Sequence, residues 1–359
     1  MNQPSRYREI VALGTPRELG RQIGELAGDE IRGFSEIALE RIVKTISISR
    51  EKVYDIANRS MEFAERYRPD LLDELRGTGE AARVAIDDLM LLQVRNQLQP
   101  QDDVGCTSFS FSPAASVNRG SVVGQNWDND PILDNFTIVL TRRPTGKPAF
   151  TTCTQAGLIS YLGFNEKGIG ACVNTLPAPA REVGVPHYFQ LRELFEATSL
   201  NEAVHAVQRA HRAIAANIML STPQGPANLE ITIDDVHVLR PEDSGWISHT
   251  NHCIHGDLLS INDEFPELIQ SYDRKRRIDN LIASSDSEME LEFIKNLLRD
   301  HQDYPTSICR HQNDLDEYGF WETVFSMIIE PRKQRMHVSR GTPCNHPYET
   351  YGMLESPSQ

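Results

Sequence analysis

The chain has 359 residues and a formal net charge of −15, from 51 acidic and 36 basic side chains. This length suffices for a substantial core in one large domain or two ordinary ones. The strong negative charge repels phosphate backbones, so we expect no nucleic-acid partner and find no reason for binding to anionic membranes.

The cysteines and the N-terminus bear on the cellular compartment. No C-x-x-C pair or dense disulfide framework occurs among the cysteines, so a reduced, cytoplasmic setting is the simpler interpretation. The six are Cys106, Cys153, Cys172, Cys253, Cys309 and Cys344. Residues 1–13 contain no apolar signal region, and no apolar run reaches membrane-spanning length.

The first hundred residues show helical patterns. Thr15, Pro16 and Glu18 form an N-cap, a first-turn proline and a capping-box partner. Apolar residues then recur at helical spacing to Phe34. Further helices are predicted at about 50–66 and 79–98. A neighbouring stripe of glycines four apart either lets another backbone approach closely or is merely tolerated. These glycines are Gly20, Gly24 and Gly28.

From Cys106 onward the periodicity becomes that of strands. Strands are predicted at about 106–111, 122–127, 136–142, 149–154, 159–164, 169–174, 218–222, 229–233, 236–239, 246–250, 322–330 and 335–340. Helices are predicted at about 188–197, 199–211, 266–284 and 287–298. These segregated runs predict an α+β fold with two antiparallel sheets and helices outside.

Five short motifs follow one another along this pattern. They are Asp103-Val-Gly-Cys-Thr-Ser108, Gly124-Gln-Asn-Trp-Asp128, Gly168-Ile-Gly-Ala-Cys-Val-Asn174, His249-Thr-Asn-His252 and Tyr304-Pro-Thr-Ser-Ile-Cys-Arg310. With the opening Gly14-Thr-Pro, this set resembles the isopenicillin N acyltransferases, members of the N-terminal-nucleophile hydrolases. It is more distantly similar to the choloylglycine hydrolases. Arthropod β-alanyl-amine hydrolases share the same broad pattern, so the resemblance does not fix the substrate.

The resemblance implies a four-layer αββα sandwich of two antiparallel sheets, preceded by a helical region. It also implies self-cleavage of a zymogen between Gly105 and Cys106. Residues 1–105 would then remain bound as a small subunit, and residues 106–359 would form the catalytic subunit.

The residue chemistry agrees with that expectation. The Cys106 thiol would attack the carbonyl group of Gly105, and an N-to-S acyl shift followed by hydrolysis would free the Cys106 amine. Glycine at position 105 admits attack from a crowded side. The new α-amino group, with an ordinary pKa near ~7.7–8.0, can take the thiol proton at neutral pH.

Other roles come from the resemblance, position by position. Asp128 matches the aspartate that orients the Cys106 amine or thiol, and Arg310 matches the arginine that counters its charge. Asn251 matches the asparagine that donates to the oxyanion. Asn174 matches a second asparagine, which contributes its backbone N–H or its side chain there.

Two positions depart from relatives. Gln125 stands where choloylglycine hydrolases have an arginine, which favours the acyltransferase branch over bile-salt recognition. Thr232 stands where the family has a serine, so the hydroxyl group is kept and its role is open.

We therefore predict a cysteine amidohydrolase or acyltransferase that acts on linear amides or thioesters through an acyl-Cys106 intermediate. We expect no cofactor; a coenzyme A thioester would enter only as substrate. A contrasting hypothesis is an unprocessed, catalytically silent binding protein on the same scaffold.

Remaining polar clusters have simpler interpretations. His249, His252, Cys253 and His255 offer a rival zinc site, but their spacing matches no standard zinc motif, and we expect no metal. The basic run 274–277 is predicted to be a solvated helix face. Three cysteines are interpreted as small buried hydrophobes, and a fourth beside Arg310 as core packing. These are Cys153, Cys172, Cys344 and Cys309.

Overall fold

The computed structural model describes residues 4–46, 48–98, 105–112, 120–241, 244–285, 289–314 and 319–355. Asp103 and the rest of the connector before Gly105 lie outside the described residues. Within these ranges, no helix combines the length and the apolar character needed to cross a bilayer.

The N-terminal region is one strand followed by five helices. They are β1 (Glu9–Gly14), α1 (Pro16–Leu26), α2 (Gly28–Ile46), α3 (Arg50–Tyr67), α4 (Pro69–Ala82) and α5 (Ile86–Leu98). The predicted capping box at Thr15 is confirmed. The single helix predicted at 79–98 is wrong, because Arg83 takes a left-handed φ of 59° and ends α4.

The rest of the chain alternates strands with helix pairs. The elements are β2 (Gly105–Phe111), β3 (Val122–Asn129), β4 (Thr137–Pro144), β5 (Phe150–Gln155), β6 (Leu162–Asn165), β7 (Gly170–Asn174), α6 (His187–Leu194), α7 (Leu200–Gln208), β8 (Ala216–Thr222), β9 (Gly225–Ile231), β10 (Val236–Leu239), β11 (Trp246–His249), α8 (Ser271–Ala283), α9 (Leu291–Leu298), β12 (Glu322–Glu330), β13 (Arg335–Arg340) and β14 (Tyr348–Gly352).

The strands form two sheets. One has eight strands in the order β1-β4-β5-β6-β7-β8-β9-β10, and the other has six in the order β11-β2-β3-β12-β13-β14. The predicted hairpins β4–β5, β6–β7 and β12–β13 are confirmed. Strands β1 and β14 were not expected, and β1 pairs with β4 in parallel, while the other neighbouring strands are antiparallel.

Side chains on β2 show how the layers are arranged. Successive residues of a strand point to opposite faces. Phe109 and Phe111 pack with Ile278 of α8 and Ile294 of α9, on the outer face of the six-stranded sheet. Cys106 belongs instead to the core between the two sheets. Helices α6 and α7 and the N-terminal helices cover the eight-stranded sheet, which confirms the four-layer αββα sandwich.

The N-terminal region is tied to the rest of the chain through buried polar contacts. Glu74 of α4 forms ion pairs with Arg142 of β4 at 2.7 Å and with Arg192 of α6 at 3.4 Å, and all three side chains are at most 2% exposed. The hydroxyl group of Tyr7 donates to Asp134 at 2.7 Å. Together with the β1–β4 pairing, these contacts make the described part of the N-terminal region one folded body with the rest of the chain.

Two glycines let α1 and α4 approach closely. A Cβ atom added at Gly20 would lie 1.9 Å from the backbone oxygen of Glu74, and one added at Gly24 would lie 2.4 Å from that of Thr78. At Gly28 the nearest atom, 3.1 Å away, belongs to the flexible side chain of Arg32. Close backbone approach is therefore the reason for the first two glycines and not for the third.

This contrast predicts different effects on stability. Gly20→Ala should lower the free energy of unfolding by about 3 kcal/mol, because the helix backbones must separate. Gly28→Ala should change it by less than ~1 kcal/mol. Urea-induced unfolding of the two variants measures this, and equal effects would contradict the close-packing explanation.

Candidate active site

The site is built around the start of β2, a central strand of the six-stranded sheet. Gly105 and Cys106 lie opposite Asp128 and Trp127 of β3, respectively. Cys106 is completely buried. The peptide bond between Gly105 and Cys106 thus lies inside the folded core, with charged side chains on both sides.

Asn251, in the loop after β11, holds the nitrogen of Cys106. Its Oδ1 atom accepts from the Cys106 N–H at 3.0 Å and from Nη2 of Arg274 at 2.8 Å. Two donors at one atom identify it as the amide oxygen. The Nδ2 atom donates to the carbonyl oxygen of Thr175 at 2.9 Å. In the structure, Asn251 presents an acceptor to Cys106, whereas the resemblance implied a donor to an oxyanion.

Glu230 of β9 fixes the loop that carries Asn251. Its buried carboxylate accepts from Nε2 of His249 at 2.8 Å and from the N–H groups of Ile254 at 2.7 Å and His255 at 2.9 Å. Burial opposes ionisation, but these hydrogen bonds outweigh it and hold the pKa of Glu230 below its usual value. A lone glutamate within an apolar strand was the sequence signal for this role.

Arg274 of α8 is a site residue that sequence reasoning missed. Its guanidinium is fully buried and donates to the carbonyl oxygen of Cys106 at 2.6 Å and to Oγ1 of Thr107 at 3.0 Å. Burial lowers the pKa of Arg274 to about 10, against the opposing charge of Asp128, so the group stays cationic at neutral pH.

The predicted solvated face at 274–277 is therefore wrong for Arg274, although Arg276 is 68% exposed. Position 274 lies one turn before the buried Ile278 and two turns before Ile282. Helical spacing thus puts Arg274 on the same face as these buried residues, which would have predicted its burial. The neighbouring basic residues favoured the prediction of a solvated face instead.

Asp128 supplies the only anionic group found around Cys106 in the described part of the chain. Its Oδ1 atom accepts from Oγ1 of Thr323 at 2.7 Å. Its Oδ2 atom has no hydrogen-bond partner among the described residues and would lie 3.3 Å from a Cβ atom at Gly105. Burial raises the pKa of Asp128 to about 6, and Arg274, Thr323 and Arg310 oppose the shift.

Arg310 approaches Asp128 from the loop before β12. Its N–H donates to Oγ1 of Thr323 at 3.0 Å, and its Nη1 donates to Oε1 of Gln270 at 3.2 Å. The cation acts on Asp128 through space, since the hydrogen bond to Asp128 comes from Thr323.

A strained segment covers the junction. Ile269 and Gln270, just before α8, have left-handed φ values of 50° and 52°. Such conformations cost about 1–3 kcal/mol each, most for a β-branched residue. Ile269 would contact a Cβ atom at Gly105 at 2.9 Å, and its carbonyl oxygen accepts from Nε of Arg274 at 2.8 Å. The segment is therefore held in place by the site that it covers.

The surroundings of Cys106 favour the neutral thiol. Burial and the nearby Asp128 raise its pKa well above the usual range, while Arg274, a hydrogen bond with Gln125 and the backbone N–H of Asp128 oppose the shift. A change in the surroundings of Cys106 is needed before it can act as a strong nucleophile at neutral pH.

Gln125 and Asn174 connect β3 and β7 to the Asn251 loop. The Nε2 atom of Gln125 donates to Oδ1 of Asn174 at 3.2 Å. The Nδ2 atom of Asn174 donates to the carbonyl oxygens of His249 at 3.1 Å and Thr250 at 2.8 Å. Of the predicted residues, Cys106, Asp128, Asn251 and Arg310 thus gather at one place, and Asn174 supports the loop beside them.

Two other features singled out in the sequence, Thr232 and the histidine cluster, make other contacts. Oγ1 of Thr232 accepts from the N–H groups of Asp234 at 3.3 Å and Asp235 at 2.9 Å, within the turn between β9 and β10. In the rival zinc cluster, His249 binds Glu230, and Nδ1 of His252 lies 2.7 Å from Oγ of Ser271. The ring nitrogens of these two histidines are engaged by different partners, so the structure does not gather the cluster around one point.

The charges around Cys106 act in opposite directions. Two buried guanidinium groups, from Arg274 and Arg310, face one buried carboxylate, from Asp128. Arg274 favours an anion at Cys106, but burial and Asp128 outweigh it and keep the thiol protonated.

The sequence pattern of the acyl-coenzyme A:6-aminopenicillanic acid acyl-transferase family matches residues 117–345. The chain belongs to this family. The match contains Asp128, Asn174, Asn251 and Arg310 and begins after Cys106. The resemblance seen in the motifs is thereby confirmed.

Individual relatives agree with the family assignment. A protein of Emericella nidulans, named the 40 kDa form of acyl-coenzyme A:6-aminopenicillanic-acid-acyltransferase, is 27% identical over 356 residues, which are 97% of this chain and 96% of the relative. The family and this relative, both named as acyltransferases, point to an enzyme.

Solved structures also align with this family member. A mutant of the conjugated bile acid hydrolase of Clostridium perfringens has a TM-score of 0.44 at 13% identity, over 71% of this chain and 99% of that one. Penicillin V acylase of Agrobacterium tumefaciens has a TM-score of 0.44 at 13% identity, over 65% of this chain and 82% of that one.

Proposed function

We propose that this family member is a self-cleaving cysteine amidohydrolase or acyltransferase. Its nucleophile is Cys106, released as a new N-terminal residue by cleavage after Gly105. The observation that carries the proposal is that the nitrogen, carbonyl oxygen and thiol of Cys106 all lie within one buried charged cluster. A residue with only a packing role would not need a buried arginine and an asparagine on its backbone.

Self-cleavage would use groups already in place. The unpartnered Oδ2 atom of Asp128 takes the thiol proton, and the sulfur attacks the carbonyl carbon of Gly105. The C–N bond breaks, and the nitrogen of Cys106, held by Asn251, takes up a proton. Water then hydrolyses the thioester, which restores the thiol and leaves a carboxylate on Gly105.

In the mature enzyme, the free amine of Cys106 would replace Asp128 as the base. The thiolate attacks an amide or thioester carbonyl, the leaving group departs with a proton, and the acyl group stays on sulfur. Water or an acceptor amine then removes it. The resemblance assigns oxyanion donation to Asn251 and Asn174; for Asn251 this requires its Nδ2 atom to leave the carbonyl oxygen of Thr175.

The proposed small subunit, residues 1–105, would remain bound after cleavage. It contributes β1 to the eight-stranded sheet and Glu74 to the buried ion pairs with Arg142 and Arg192. We propose no resident cofactor; a small acyl amide or an acyl-coenzyme A thioester is the expected partner. A cytoplasmic location stays a prediction.

The first test is whether the chain cuts itself. We expect the purified protein to separate under denaturing conditions into fragments of about 12 and 29 kDa, dividing 40.5 kDa in proportion to their lengths. Cys106→Ala should stay whole, and Cys153→Ala, which removes another buried thiol, should cut normally. Intact-mass measurement decides this. A single full-length chain in the unsubstituted protein would favour the silent binding protein.

Cleavage should depend on pH through Asp128. A carboxyl group with a pKa of about 6 is protonated at lower pH and becomes a base only at higher pH. The cleavage rate of newly synthesised chain should therefore rise with pH through about 6 and then level off. Asp128→Asn should slow it by about 10²-fold or more and flatten the profile, while the exposed Asp273→Asn should behave normally. A flat profile in the unsubstituted chain would exclude Asp128 as the base.

Arg274 should be required for its geometry as well as its charge. Arg274→Lys keeps the cation but cannot donate to Cys106, Thr107 and Asn251 together, so we expect cleavage to slow by about 10²-fold. The exposed Arg276→Lys on the same helix is the matched control. Rates are compared in variants with a normal melting temperature; an unchanged rate in Arg274→Lys would remove Arg274 from the mechanism.

The acyl intermediate can be tested directly. With a small N-acyl amide or an acyl-coenzyme A thioester, acid quenching at short times should show the acyl mass on the fragment of about 29 kDa that begins at Cys106. Adding an acceptor amine then partitions the acyl group between acid and new amide, which separates a hydrolase from a transferase. Acylation of another fragment or residue would contradict the role of Cys106.

A further inference from the structure

Four potential metal ligands converge outside the candidate active site. The ligand atoms of His301, Cys309, His311 and Cys344 all lie within 4.8 Å of one another. The first three come from the loop between α9 and β12, and Cys344 comes from the turn between β13 and β14. Sequence inspection could not find the group, because 33 positions separate Cys344 from His311.

The distances between these atoms fit the edges of a zinc tetrahedron. Zinc with Zn–S bonds of about 2.3 Å and Zn–N bonds of about 2.0–2.1 Å separates two sulfurs by about 3.8 Å, a sulfur and a nitrogen by about 3.6 Å, and two nitrogens by about 3.3 Å. The two Sγ atoms lie 3.7 Å apart, and Nε2 of His311 lies 3.6 Å from Sγ of Cys309 and 3.4 Å from Sγ of Cys344. The Nε2 atoms of His301 and His311 are 3.1 Å apart.

We infer that these four side chains form a structural zinc site. Two thiolates and two imidazoles in a tetrahedral arrangement select zinc among common divalent ions, and four protein ligands leave no open position for catalysis. The backbone N–H of Cys344 hydrogen-bonds to the sulfur of Cys309, a contact that a zinc-bound sulfur can also accept. This proposal differs from two expectations of the sequence analysis. Cys309 and Cys344 were expected only to pack in the core, and no metal was expected.

The site lies directly beside the proposed catalytic group. Cys309 and His311 flank Arg310 in the chain, and Arg310 itself has other partners. Its backbone N–H donates to Thr323, and its side chain donates to Gln270. Zinc would thus tie the loop that presents Arg310 to the turn after β13 and hold this cation at its distance from Asp128.

The site also explains why two imidazole nitrogens face each other. Without a metal, one of His301 and His311 must donate a proton to the other, beside two thiols. With zinc, all four groups point a lone pair at one ion. The competing arrangement of the two sulfurs is a disulfide, which would leave both imidazoles without a ligand role.

Metal analysis tests the inference independently of activity. The protein, purified without chelators from zinc-supplemented cells, should contain about one zinc ion per chain. Cys309→Ala and His311→Ala should reduce this by about tenfold or more, while Cys153→Ala should keep it. The same measurement on Cys106→Ala makes the result independent of the proposed self-cleavage. Absence of zinc in the unsubstituted protein, or full zinc content in the cluster variants, would overturn the site.

A second measurement, on the unsubstituted protein, tests the site even if the cluster variants fail to fold. The unsubstituted protein, stripped of zinc and loaded with Co²⁺, should show the intense visible absorption of tetrahedral cobalt and a thiolate charge-transfer band, and a chelator should lower its melting temperature. An octahedral cobalt spectrum, or a Cys309–Cys344 disulfide found by non-reducing mass analysis of the freshly purified protein, would overturn the proposal.

Discussion

The buried guanidinium of Arg274 is the interaction on which the candidate site depends. Removing a cation from water is costly unless polar groups surround it. Here those groups are the carbonyl oxygen of Cys106, the hydroxyl group of Thr107 and the amide oxygen of Asn251. Two of these acceptors belong to β2 and the third to the loop after β11, so the same cation fixes α8 against β2 and orients Asn251. Glu230 then holds the loop from its other side.

The layered fold offsets the free-energy cost of burying these charges, because Arg274, Arg310 and Asp128 are buried together in one folded body. Cys106 faces the space between the sheets, while Arg274 enters from the helix layer on the outer face. The strained residues Ile269 and Gln270 close the gap between them. The N-terminal helices complete the opposite side through Glu74, whose two arginine partners belong to the remainder of the chain. Cutting after Gly105 would therefore divide the chain without dividing its core.

Much of the fold was predictable because it follows local patterns. The capping box at Thr15 and the β4–β5 hairpin depend on neighbouring residues and were confirmed. Cys106, Asp128, Asn251 and Arg310, which the motif resemblance named, lie near one another in the structure, and their catalytic roles stay predictions. Strand β1 was missed because six residues carry little periodicity, and its partner β4 lies far along the chain.

The missed site residues are defined by tertiary contacts. Arg274 stands in a basic run that resembles a solvated face, and its burial depends on acceptors from β2 and the Asn251 loop. The cysteine–histidine cluster depends on a turn after β13, so no local spacing marks it. In both cases the sequence shows the residue type, but the residues that it contacts lie on another element and cannot be predicted from local spacing.

The hydrogen bond from the Cys106 nitrogen to Asn251 has a consequence for how such an enzyme would come into being. In the proposed mechanism, the nitrogen that would become the base is already hydrogen-bonded to Asn251 while it is an amide. Activation would then consist of a change of bonding at Cys106 and a local movement of the Asn251 side chain away from Thr175. A variant that cannot be cut would keep the contact between the Cys106 nitrogen and Asn251. A structure of that variant would show this part of the mature site before cleavage.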